Sequence, residues 1–233
     1  STDALAAWLL QQGLTEGDRV AIHWRNSIET VQLYFACFKA GLIAVPVNNR
    51  LKSAEIGYIL RHSRAKLCFS QPDLAPLAEE ARPLCPDLRE ILNSLPDLSA
   101  APEAPLPKVS PEKVAAILYT SGTTANPKGV MHTHRTLVEN AKGGQALYGT
   151  ITVHDATLVM MQPSFAAWVN VVLPYVGGRG KIVFGGAFSP AVWAWGCVGV
   201  KAVRRAALSP DRCTRPICAS SRARVSASTD SAL

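Results

Sequence analysis

Val114-Ala-Ala-Ile-Leu-Tyr119 runs without a break into Thr120-Ser-Gly-Thr-Thr-Ala-Asn-Pro-Lys128-Gly-Val-Met-His-Thr-His-Arg135, and this stretch decides how the chain is read. The apolar part suits a buried strand. The part that follows collects hydroxyls, glycines, a proline and one lysine. A helical pattern comes next, His134 to Leu147, for which Thr133 is a plausible N-cap. Such a loop can wrap a polyphosphate with backbone N–H groups, hydroxyl donors and a lysine charge. Gly122 and Gly129 are expected to allow tight backbone conformations, and Pro127 to stiffen the approach to Lys128. Composition alone would equally fit a polar surface turn. The ordered string argues against that, and it is not a Walker A loop, because the Gly-Lys-Ser/Thr ending is absent.

Upstream, helix and strand patterns alternate. Ala4 to Gln12 has helical spacing and stops at Gly13, and Arg19 to Trp24 reads as a short buried strand. Ser27 can cap a helix that runs to Gly41, Ile43-Ala-Val-Pro-Val47 is extended, and Ser53 can cap a short amphipathic helix bearing Ile56, Ile59 and Leu60. Lys66-Leu-Cys-Phe69 is the next strand. Alternation of this kind predicts an α/β fold with a mainly parallel sheet. The proline-richer stretch 71–111 reads as a helix followed by an extended linker near 96–111.

The Thr120–Val130 string resembles the signature loop of the adenylate-forming superfamily, which holds AMP-forming acyl-CoA synthetases, peptide-synthetase adenylation domains and luciferases. Leu5-Ala-Ala-Trp-Leu-Leu10, Gly17-Asp-Arg-Val-Ala21, Tyr34-Phe-Ala-Cys-Phe-Lys-Ala-Gly41, Val45-Pro-Val-Asn48 and Ile56-Gly-Tyr-Ile-Leu60 stand before it in the order the resemblance expects. The likeness covers roughly residues 3–190. It implies a flavodoxin-like parallel sheet with flanking helices, forming an incomplete N-terminal domain. It also implies ATP, Mg2+ and coenzyme A as the reacting partners of a carboxylate, which becomes first acyl-AMP and then a thioester. By that resemblance Thr120, Ser121, Gly122, Thr123, Thr124 and Lys128 contact the ATP phosphates, and the Thr120 hydroxyl lies near magnesium. Ala125 stands where the family usually has a third glycine.

Beyond the loop, Thr157-Leu-Val-Met-Met161 reads as a buried strand leading into Gln162-Pro-Ser-Phe-Ala-Ala-Trp-Val-Asn170. This resembles the family's substrate-side segment, except that Ala166 follows Phe165 where a histidine is usual. Trp168 and Asn170 are candidates to line an acyl pocket, plain core being the simpler reading of Trp168. Apolar Trp168, Val169 and Val171 suggest a fatty or aryl acid rather than a charged amino acid as substrate. His132 and His134, two apart at a helix start, diverge by about 200° and are expected at the surface. Lys181-Ile-Val-Phe184 is the last expected strand.

Past Pro190 the character changes. Ala, Arg and Ser make up 19 of the 35 residues 199–233, so this stretch has little to bury. The domain is therefore expected over 1–190, with 191–233 a disordered basic tail. A reading-frame shift or gene truncation near 191–199 would produce such a break, and a natural basic tail is the alternative. The family's adenine-binding segment, magnesium-holding acidic residue, ribose-binding aspartate, hinge and C-terminal lysine all lie further downstream and have no counterpart here. The expected product is a fragment of an acyl-CoA ligase, inactive alone, with a nucleotide-binding pseudoenzyme or a gene remnant as rivals.

Bulk properties exclude other classes. A hydrophobic content of 48% with 18% charged residues is that of a globular chain. Of the net charge of +7, residues 199–233 carry seven basic against two acidic side chains. The excess belongs to the tail, which has no aromatic for base stacking, so no nucleic-acid partner is expected. No apolar run reaches the roughly 18 to 20 residues of a membrane helix. Six cysteines without a CxxC pair read as reduced thiols of a cytoplasmic protein.

Overall fold

A computed structural model describes residues 1–98, 105–120 and 126–185. Three strands, β1 (Arg19–His23), β2 (Ile43–Pro46) and β3 (Ala65–Ser70), alternate with helices α1 (Thr2–Gln11), α2 (Ile28–Ala40) and α3 (Ser53–Ser63). After α4 (Ala75–Ala81) come β4 (Glu90–Leu92), β5 (Val114–Thr120) and β6 (Lys128–Thr133). The six strands form one sheet in the order β4-β3-β1-β2-β5-β6. All its pairings are parallel except β5 with β6. Then follow α5 (His134–Tyr148), β7 (Ala156–Val159), α6 (Ala166–Gly177) and β8 (Lys181–Phe184), with β7 and β8 paired in parallel as a second sheet. The α/β class and the parallel character agree with the sequence.

Burial explains the alternation. In β1, Val20 and Ile22 face a cluster with Leu5, Leu9, Leu33 and Phe69, under α1 and α2, while Ala21 faces Val45, Ile56, Ile59 and Leu60, under α3. Covered on both sides, the strand has an apolar run, Val20-Ala-Ile22, in place of an alternating one. Local signals place the helix ends. The Ser27 side chain accepts from Thr30 N–H at the start of α2, and Gly41 closes that helix at φ 73, a left-handed conformation that glycine adopts without strain.

Three expectations change. The helix expected from Ser53 is capped one residue earlier, because the Lys52 N–H donates to the Glu55 carboxylate at 2.9 Å. The stretch expected as helix and linker contains β4, whose place beside β3 comes from long-range pairing. Lys128–Thr133 is a strand rather than loop, so the phosphate-loop segment is a hairpin connection between antiparallel β5 and β6. Thr133 then caps α5, accepting from Thr136 N–H, as its sequence position predicts.

Asn26 joins the two sheets. Its Nδ2 donates to the Met161 carbonyl at 2.7 Å, and its Oδ1 accepts from Trp168 Nε1 at 2.8 Å. Beside it the Tyr34 ring stacks on Trp168 at 5.0 Å, and the Tyr34 hydroxyl donates to the Pro163 carbonyl.

Candidate functional site

Thr120 and Lys128 stand directly opposite each other in the β5–β6 register, and both are exposed. Opposed residues of an antiparallel pair have Cα atoms about 5 Å apart. The hydroxyl and the ammonium therefore emerge side by side from the mouth of the hairpin. Ser121, Gly122, Thr123, Thr124 and Ala125 lie outside the described residues. Gly129 serves packing rather than a special φ. Its φ is not positive, whereas a Cβ there would come within 2.8 Å of Ile117 Cγ2 and 3.2 Å of the Tyr119 ring. The expected conformational reason is replaced by a steric one.

The mouth lies at the carboxyl edge of the parallel strands, since Thr120 ends β5. In open α/β sheets ligands bind outside that edge. A cleft of about 440 Å³ opens at the same edge, lined by Arg25 and Asn26 after β1, Asn49 and Arg50 after β2, and Gln162 and Phe165 after β7. Met160, Met161, Phe184 and Gly185 complete its apolar wall. Arg25 pairs with Asp73, while Arg50 has no ion-pair partner among the described residues. Gln162 presents a buried Oε1 without a hydrogen-bond partner among the described residues. A cationic end and an apolar wall suit an anion with an apolar body. Sequence reading missed Arg25 and Arg50. Their signal is a polar residue just past an apolar strand, in Trp24-Arg-Asn26 and Val47-Asn-Asn-Arg50.

The substrate-side candidates separate. Trp168 is 1% exposed and is held by Tyr34 and Asn26, whereas Asn170 faces solvent two residues on. Phe165, 47% exposed, lines the cleft, and Ala166 opens α6 behind it. His132 and His134 are half-buried rather than on the surface, because His132 sits in β6 and His134 packs edge-on against Phe38 at 5.7 Å. Burial depresses the pKa of both. Among the described residues no three His, Cys, Asp or Glu side chains cluster to hold a metal, and Cys37, Cys68 and Cys85 are buried free thiols. Burial pushes Cys37 and Cys68 up to about 12, so both stay protonated. No helix among the described residues is long and apolar enough to cross a membrane.

Comparison with known proteins agrees with the fold. The family model of AMP-binding enzymes matches residues 1–211. A sulfoacetate–CoA ligase of Cupriavidus necator is 38% identical over 136 residues, covering 55% of this chain and 27% of that protein. The long-chain-fatty-acid–CoA ligase FadD13 of Mycobacterium tuberculosis is 32% identical over 168 residues, covering 69% of this chain and 33% of that protein. Among solved structures, the inhibitor-bound N-terminal domain of FACL13 from Mycobacterium tuberculosis superposes with a TM-score of 0.76 at 28% identity, covering 84% of this chain and 51% of that one. The chain thus spans about a third of the curated relatives' length and about half of the solved domain.

Proposed function

This chain belongs to the family of AMP-binding enzymes, and we propose that it carries the polyphosphate-binding part of an ATP-dependent acyl-CoA ligase. The observation that carries the reading is the Thr120–Lys128 pair at the hairpin mouth, on the ligand-binding edge of the sheet. Lys128 supplies an unburied positive charge that offsets phosphate charge as it accumulates on a leaving pyrophosphate. Thr120 supplies a hydroxyl from the facing arm, which fits a phosphate oxygen or a magnesium ion. In a whole ligase, bound ATP would provide the α-phosphorus that a carboxylate attacks, expelling pyrophosphate and giving acyl-AMP, from which the thiol of coenzyme A would take the acyl group and release AMP.

The carboxylate we propose is a fatty or aryl acid. Met160, Met161, Phe165 and Phe184 offer it an apolar wall, and Arg50, which has no ion-pair partner among the described residues, a charge for its anionic end. The two curated relatives differ in the acid their names carry, sulfoacetate and a long-chain fatty acid, so family membership alone does not choose. Binding rather than turnover is the role proposed for this chain by itself.

Calorimetric titration of Mg-ATP into the chain, paired with an assay of carboxylate-dependent pyrophosphate release, tests this. We expect binding that weakens about tenfold or more in Lys128→Ala, as loss of a charge-assisted contact does, without pyrophosphate release. Absence of binding refutes the phosphate reading. Release on addition of a fatty or aryl acid refutes the assignment to binding alone.

A further inference from the structure

The tip of the β5–β6 hairpin has little support from the sheet. Pairing of β5 with its parallel neighbour β2 is confined to Ala44 and Ala116, near the start of β5. From Ile117 to Thr120 the strand's registered partner is β6, itself the end strand of the sheet among the described residues. Two strands alone hold a fixed geometry poorly.

Helix α3 reaches across from outside the hairpin. The Tyr58 hydroxyl donates to the Pro127 carbonyl at 3.2 Å. That carbonyl shares a rigid peptide plane with the nitrogen of Lys128, so fixing it fixes where the lysine leaves the backbone. On the other arm, Tyr119 precedes Thr120, and its hydroxyl is hydrogen-bonded to His62 Nδ1 at 2.8 Å. Tyr58 and His62 are four residues apart, one turn along the same helix face. Their rings stack at 5.3 Å and 21°, and the His62 ring meets Tyr119 edge-on at 5.8 Å. Gly129, opposite Tyr119 in the ladder, leaves the space in which that ring lies across β6.

We propose that Tyr58 and His62, the latter through Tyr119, are positioning residues for Lys128: they grip both arms of the hairpin and set the lysine's place beside Thr120. The proposal rests on the phosphate reading for what Lys128 meets, but not for the grip itself. Tyr58 touches no reacting atom in this scheme; it acts through the Pro127–Lys128 peptide. The hydroxyl of Tyr119 remains protonated at neutral pH, because burial pushes its pKa up to about 12.

Amide hydrogen exchange and Mg-ATP titration on the full chain test the grip together. In Tyr58→Phe, exchange at residues 128–130 is expected to quicken about fivefold, the worth of one hydrogen bond, with β1 and β3 unchanged. His62→Phe keeps a ring to stack but loses the bond to Tyr119. It should match Tyr119→Phe, and the double variant should add nothing. Tyr58→Phe should also weaken Mg-ATP binding about fivefold in the native background and leave it unchanged in a Lys128→Ala background. Unchanged exchange at 128–130, exchange that rises equally in β1 and β3, or losses of affinity that simply add with Lys128→Ala would each overturn the proposal. Quickened exchange in a chain that binds no Mg-ATP would refute the phosphate reading while supporting the grip.

Discussion

His23 ends β1 with its ring wholly buried, Nδ1 bonded to Ser70 Oγ at 2.9 Å and Nε2 without a partner among the described residues. Burial, helped by the nearby Arg25 charge, lowers its pKa from 6.5 to about 4, against a small opposing pull from Asp73. The folded chain thus keeps this imidazole neutral where the unfolded chain protonates it. Stability is full above pH 6.5, falls as the pH drops from 6.5 towards 4, and loses no more through this group below that. The shift corresponds to about 3 kcal/mol over the window. Urea denaturation of the native chain and of His23→Gln at a series of pH values should show a flatter curve for the variant between pH 6.5 and 4. Parallel curves would disprove the assignment. Nothing in the run Arg19-Val-Ala-Ile-His23 marks the histidine as buried beyond its place in an apolar strand. That place was legible; the missing partner of Nε2 was not, because it depends on what α3, β3 and the loops put around it.

Adjacent glycines of α5 show how an element's neighbours set the sign of a substitution. A Cβ on Gly143 would meet nothing within 4 Å, whereas one on Gly144 would come within 2.4 Å of the Pro174 ring of α6. Glycine in a helix interior costs about 1 kcal/mol relative to alanine. Gly143→Ala should therefore raise the thermal midpoint, and Gly144→Ala should lower it by forcing α5 and α6 apart. Equal effects from the two would show that the helices do not pack as described. Helix caps were readable from local chemistry at Ser27 and Thr133, since a hydroxyl bonding an N–H three residues on needs no tertiary partner. Strand β6 was not readable. Lys128-Gly-Val-Met-His-Thr133 has no clean alternation, and three of its residues, Lys128, Val130 and Met131, are exposed. It becomes a strand because β5 offers an edge on which it pairs.

At the scale of the molecule, the two sheets meet through Asn26, Trp168 and Tyr34. Trp168→Phe keeps most of the apolar surface and the stacking on Tyr34 but leaves Asn26 Oδ1 without this donor. Loss of one such part-buried hydrogen bond costs about 1 kcal/mol. The urea midpoint of this variant should fall correspondingly, and an unchanged midpoint would mean that the Asn26 bridge does not hold the sheets. The same bridge floors the cleft that Arg25 and Arg50 line, so its loss should also weaken any ligand bound there.

The sequence by itself determined the α/β class, the order of elements through β3 and the family resemblance. Each depends on periodicity, on local caps or on an ordered motif, all carried by neighbouring residues. The tertiary structure alone decided that Thr120 and Lys128 face each other across a hairpin. It also set the steric reason for Gly129, drew Tyr58 and His62 to that hairpin from seventy residues away or fewer, and brought Arg25 and Arg50 to one cleft. These depend on strand register and on helix faces meeting across the chain, and register between distant segments is written in no single one of them.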